Sequence, residues 1–137
     1  KKAYFSTRFK LSDATESDML IGLAITDTTA IDGVSDGVFF KKDDGDTNLD
    51  FVVEKDSTET ATAAVGTVAN DTFITATFFI DPDRSKVYYS INNAAPVGVV
   101  NTNLPDDEEL TVTLAIQAGA AAAKSLTVDY VSAIVER

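Results

Sequence analysis

Along residues 4–11, YFSTRFKL, apolar and polar positions alternate with a period of two. Phe5, Thr7, Phe9 and Leu11 fall on one face and Ser6, Arg8 and Lys10 on the other, as in a half-buried strand. The next run, DMLIGLAIT at 18–26, is apolar on both faces and predicts a central strand. Gly22 within it marks a bulge or a close approach of another backbone. Further strands are predicted at 38–42, 48–54, 58–68, 71–80, 86–91, 97–100, 110–116 and 125–135. In the sixth, Phe73 and Phe79 face one way and Ile74, Phe78 and Ile80 the other. In the seventh, Val87, Tyr89 and Ile91 oppose Tyr88 and Ser90.

Turn formers separate these runs. Asp32-Gly33 and Asp36-Gly37 suit positive-φ positions, Asp81-Pro82-Asp83-Arg84 has the composition of a type I turn, and Asn92-Asn93 is a further turn signal. The segment NLPDDEEL at 103–110 suits a one-turn helix or a surface loop. AGAAAAK at 118–124 is too short to nucleate a helix by itself and reads as a compact connection. About ten strands with frequent turns and no strand–helix alternation predict an all-β fold, an antiparallel two-sheet β-sandwich. A sandwich strand meets the core with one face only. Strands that are apolar on both faces therefore require a cover, either a loop or another protein.

The chain has 137 residues and predicts a single domain over 1–137, with a preceding segment outside these residues allowed by the missing initiator Met. Its apolar fraction of 45% argues against wholesale disorder. The net charge of −11, from 22 acidic against 11 basic residues, disfavours nucleic acid and anionic membrane as partners. No run is long enough for a membrane helix, and the start does not resemble a signal peptide.

With neither Cys nor His, serine–histidine and cysteine–histidine catalysis are excluded, and zinc loses its commonest ligands. Asp50 and Glu54 alternate on one strand face, where a salt-bridged or solvated role outweighs a glycosidase carboxylate pair. No glycine-rich phosphate loop occurs. The expectation is a protein that is not an enzyme. The hairpin loop DDGDTN at 43–48 offers hard oxygen ligands, so Asp43, Asp44 and Asp46 form a candidate calcium site; the competing reading is a solvated turn around Gly45, with no cofactor at all. Tyr4, Phe39, Tyr88 and Tyr89 are rings that a sugar platform needs, and Tyr88 with Asp46 is the candidate sugar pair.

The stretches FSTRFKL, LIGLAI, DGVFFKK with its acidic turn and LDFVVEKD, FITATFFIDPDRSKVYYSINNAAP, and LTVDYVSAIVER together resemble the concanavalin A-like, laminin-G-type jelly roll. Asn92-Asn93 stands where that family more often has Asn-Gly or Asp-Gly. The segments SDGVFFKKDDGDTNLDFVVEKDSTET and NLPDDEELTVTLAIQAG are similar to virion-surface proteins of tailed phages, which act as capsid decoration or fibre components. That resemblance implies a non-enzymatic bacteriophage capsid decoration (cement) protein on the virion surface, bound to the major capsid protein and to like subunits as a dimer or trimer. Phe39, Phe40, Tyr88 and Tyr89 are the candidate interface. The alternative is a carbohydrate-binding jelly-roll module of a phage fibre or a secreted bacterial protein.

Overall fold

The computed structural model describes residues 1–100 and 102–137. Ten strands run in the order β1 (Ala3–Leu11), β2 (Ser17–Ala24), β3 (Gly37–Lys42), β4 (Asn48–Lys55), β5 (Thr58–Thr67), β6 (Ile74–Asp81), β7 (Lys86–Ile91), β8 (Val97–Val100), β9 (Thr111–Ala118) and β10 (Leu126–Val135). Among the described residues a single 3₁₀ turn, Pro82–Arg84, stands between β6 and β7. The strands form two five-stranded sheets, β10-β1-β6-β7-β8 and β5-β4-β3-β2-β9, with every neighbouring pair antiparallel. The protein is an all-β, two-layer sandwich.

The period-two pattern decides which side chains enter the core. Phe5 and Phe9 of β1, Phe40 of β3, Phe51 of β4 and Phe78 of β6 are fully buried between the layers. Phe5 and Phe78 stack at 5.0 Å, and the Phe78 ring lies 6.1 Å from Phe40 and 5.8 Å from Phe51. Tyr89 of β7 packs on Phe51 at 5.2 Å. These contacts place β6 over β3 and β4, and β7 over β4, so the two sheets are stacked in the same order. Strands β10 and β9 therefore form the two edges of one flank, and β8 and β5 those of the other.

Turn chemistry follows the sequence at Asn92-Asn93 and Asp81–Arg84, whereas Asp32-Gly33 and Asp36-Gly37 take no positive φ, and Gly37 instead opens β3. Asn92 (φ 51°) and Asn93 (φ 60°) both take the left-handed conformation that a type I′ turn needs. The Asp81–Arg84 turn tightens into the 3₁₀ turn. Segment 103–110 contains no helix and is a surface loop. One tight hairpin carries no glycine: Asp56 (φ 50°) and Ser57 (φ 59°) join β4 to β5, and their N–H groups donate to Asp36 Oδ1 at 3.1 Å and Ser35 O at 2.9 Å. Tertiary hydrogen bonds replace the usual turn residues there. Gly22 marks a close approach and no bulge, since its register with β3 and β9 is unbroken. A Cβ at 22 would stand 2.5 Å from Phe39 Cα and from Val38 O.

The second sheet is apolar on its outer face too, and the cover comes from the chain. Residues 25–36 fold back over β2, β3 and β4, so Ile31 and Val34 close a cluster of Leu20, Ala24, Phe39 and Val52. The neck of this loop is pinned by Ile25 N–H donating to Asp36 O at 3.0 Å, and its interior by Thr29 N–H and Oγ1 donating to Asp27 Oδ1.

Candidate functional site

The acidic hairpin between β3 and β4 does not assemble a calcium site. Among the described residues no three acidic side chains converge as a metal-ligating group. Asp46 accepts from the backbone N–H and the Nδ2 of Asn48, Asp43 pairs with Lys41 at 3.2 Å, and Asp44 lies against Gly119. Gly45 (φ 81°) makes the bend, and its N–H donates to Thr15 O at 2.8 Å.

These acids have an internal cation instead. Lys42 is 1% exposed, with its ammonium donating to Ser17 O and to Asp43 O. Burial lowers its pKa, and Asp18, Asp44, Asp46 and Asp43 oppose that shift. A charge drawn into the end of the core needs such compensation, and the loop supplies it.

The four candidate interface aromatics do not form one surface. Phe40 and Tyr89 point into the core, and Phe39, 2% exposed, lies beneath the 25–36 loop. Only Tyr88 looks outward. A strand that alternates sends adjacent aromatics to opposite faces, so FF and YY pairs split. Tyr88 and Asp46 also lie in different sheets, one mid-strand and the other in a hairpin.

The register brings other rings to Tyr88. Across the outer face of the first sheet, Ile134 of β10 pairs with Tyr4 of β1, Tyr4 with Phe79 of β6, Phe79 with Tyr88 of β7, and Tyr88 with Gly98 of β8. At the usual interstrand spacing this row spans about 19 Å. The Tyr88 ring leans over Gly98, where a Cβ would stand 2.8 Å from its Cε1. Two residues along the strands, Ser132, Ser6, Thr77 and Ser90 make a parallel row of hydroxyls. Ser6 Oγ bonds Thr77 Oγ1 at 2.9 Å and Tyr130 OH at 3.2 Å.

Between the rows lies an open groove of about 400 Å³, lined by Tyr4, Thr77, Phe79, Tyr88, Tyr89, Ser90 and Pro96. A second hollow of about 250 Å³ continues past Tyr4 to Ile134. Charges stand at the margin: Lys2 pairs with Asp83 at 2.9 Å, Arg84 pairs with Asp81 at 3.6 Å, and Glu136 lines the second hollow, accepting from Lys2 N–H at 3.2 Å. The Tyr88 hydroxyl, ahead of Asp81, raises the Arg84 pKa. The groove beside Tyr88 is thus aromatic and hydroxylic, with no charged side chain in its lining.

A smaller polar cleft of about 160 Å³ lies on the second sheet beside the 25–36 loop, where Lys41, Glu54, Glu59 and Asp32 surround Phe39. Burial, reinforced by Glu59, raises the Glu54 carboxyl above its ordinary pKa. Asp50 is occupied elsewhere, accepting from Ala64 N–H at 2.7 Å. Phe79 and the hydroxyl row had escaped the sequence reading. The signal was the alternation within TFFID, legible only once the pairing register across β1, β6 and β7 is known.

The two sheets and their strand order define a jelly-roll β-sandwich of the concanavalin A-like type. No protein-family model matches the chain, and no curated protein matches it in sequence. Solved structures match by shape. A protein of unknown function from Shewanella oneidensis superposes with a TM-score of 0.64 at 14% identity, over 95% of this chain and 56% of that one. This chain therefore spans little more than half the length of the Shewanella protein. Sheep galectin-11, solved in complex with glycerol, gives a TM-score of 0.57 at 9% identity, covering 97% and 90%. The endo-β-1,4-glucuronan lyase of the fungus Trichoderma reesei gives 0.58 at 11% identity, covering 97% and 68%. At these identities the likeness is one of fold.

Proposed function

We propose that the protein is a non-catalytic carbohydrate-binding module whose platform is the outer face of the first sheet. The observation that carries this reading is the register-aligned row of Tyr4, Phe79 and Tyr88 beside the hydroxyls of Ser6, Thr77 and Ser90. Sugar rings present apolar C–H faces and polar hydroxyl rims, and this surface offers a partner to each. A largely apolar groove with a few placed polar groups is the common form of a small-ligand site. The sheep galectin and the fungal glucuronan lyase among the fold neighbours support a sugar ligand. A groove with no charged lining on a strongly acidic chain favours neutral over anionic glycans.

Glycan-array binding followed by titration calorimetry tests this. Tyr88→Ala and Tyr4→Ala should each weaken binding of a neutral oligosaccharide roughly two- to tenfold, the worth of one aromatic contact of about 0.5–1.5 kcal/mol. Tyr88→Phe should retain binding, because the ring and not the hydroxyl supports the stack. A wild-type protein that retains no glycan on the array overturns the reading.

The second reading is the decoration subunit seated on a phage capsid shell through the major capsid protein. The excess of acids over bases favours it, since such a surface suits a basic patch on the shell. Cosedimentation with empty shells should then fall moderately as salt is added, while the isolated fold stays intact. Shell binding that ignores salt removes the electrostatic part of that reading.

A further inference from the structure

The flank formed by β9 and β10 differs from every other part of the surface. Side chains of β10 that pair with the core-facing positions of β1 point inward by register: Val128 opposite Phe9, Val131 opposite Thr7 and Val135 opposite Ala3. The same holds in β9 for Val112 opposite Leu23 and Leu114 opposite Ile21. These five residues face the space between the layers, yet they are 36%, 36%, 56%, 40% and 39% exposed, in the order named. The sandwich gapes on this side. A cleft of about 350 Å³ enters there, lined by apolar residues such as Ala3, Leu23, Leu110 and Val135 and by the charged Lys1, Asp106 and Glu108.

Both edges are also open to strand pairing. Free edges are ordinarily protected by shortness, charge, proline or bulges. The opposite flank follows that rule: β8 has four residues, and β5 carries Glu59 and a register shift at which Ala64 takes φ 53°. Strands β9 and β10 are eight and ten residues long. Strand β10 carries a bulge and the charged Asp129, and the bulge leaves Tyr130 to Val135 in unbroken register with β1; β9 carries no charge, proline or register shift.

In a chain of net charge −11 these two strands hold a single charged residue, Asp129, and Arg8 neutralises it at 2.7 Å. This is the lane along which two acidic molecules approach with least repulsion.

We infer that the β9–β10 flank is the interface of a two-fold homodimer, in which a second copy of this chain covers the exposed inward-facing valines and leucine and extends at least one sheet across the axis. A two-fold contact brings like against like, which suits a stripe that is apolar, uncharged and lined by identical antiparallel edges. The inference stands apart from the carbohydrate reading and survives its failure.

Sedimentation equilibrium of the wild-type chain over a wide concentration range is the first test. The expected result is a monomer–dimer equilibrium that tightens as salt screens the repulsion between two acidic subunits. Leu114→Lys and Val131→Lys put a charge on each edge strand and should weaken dimerisation at least tenfold each. Far-UV circular dichroism and thermal melting at low concentration check that each variant folds. Hydrogen exchange on the wild-type protein reads the same surface without mutation: amides of β9 and β10 should gain protection as concentration rises, while those of β5 and β8 do not. A wild-type chain that stays monomeric at its solubility limit overturns the proposal. So does assembly that grows beyond the dimer, or a dimer whose concentration-dependent protection lies elsewhere.

Discussion

At the scale of single residues, the acidic side chains owe their positions to partners within the chain. Asp13 shows this most clearly. The Lys124 ammonium donates to its carboxylate at 2.7 Å, and the N–H groups of Glu16 and Thr15 donate at 3.0 Å each. These partners hold its pKa at about 2 against an ordinary 3.8, with Lys124 the largest cause. A folded-state pKa below the unfolded one adds stability that is complete above the unfolded value and is lost as pH falls through the folded value. Asp13→Asn should therefore lower the melting temperature at neutral pH, and the gap to wild type should close between about pH 4 and pH 2. Melting curves at stepped pH check this, and a gap that persists at pH 2 refutes it. Nothing in the local sequence SDATE announces Lys124, more than a hundred residues away.

At the scale of elements, the informative feature is the loop of residues 25–36. The two-faced apolar pattern of β2 required some cover, and LIGLAIT alone made that requirement legible. It did not say whether a loop or a partner would provide it. The answer lies in Ile31 and Val34 meeting Leu20, Phe39 and Val52, a contact between segments whose neighbourhood is set by sheet order. Val34→Asp puts an unpaired charge against these apolar side chains. It should cost about 1.5–3 kcal/mol in a urea melt, the worth of the buried side chain, and should open residues 25–36 to protease while the sandwich remains folded. Cleavage that begins elsewhere would show that the loop is held by its hydrogen bonds at Ile25 and Asp27, and not by its apolar cover.

At the scale of the whole molecule, net charge and exposed apolar surface act in opposite directions, and salt separates them. Docking of this acidic surface on a basic partner should weaken as salt rises, whereas the proposed self-association along the β9–β10 flank should strengthen. The same titration on the isolated chain and on the chain with capsid shells thus distinguishes the two kinds of contact. The isolated surface ion pairs, such as Lys2–Asp83 and Lys10–Asp71, contribute little to either.

The all-β class, the ten strands, the turns at Asp81–Arg84 and Asn92-Asn93, and the sets of residues that share a face in β1, β6 and β7 were determined by the sequence itself. Alternation and turn propensity are local properties, and no distant contact is needed to express them. The tertiary structure alone decided which strands became neighbours. That choice made a row of Tyr4, Phe79 and Tyr88, hid Phe39 under a loop, set the buried Lys42 ammonium on Ser17 O, and left β9 and β10 bare. Pairing register joins residues far apart in the chain, and the period-two pattern is equally satisfied by many sheet orders.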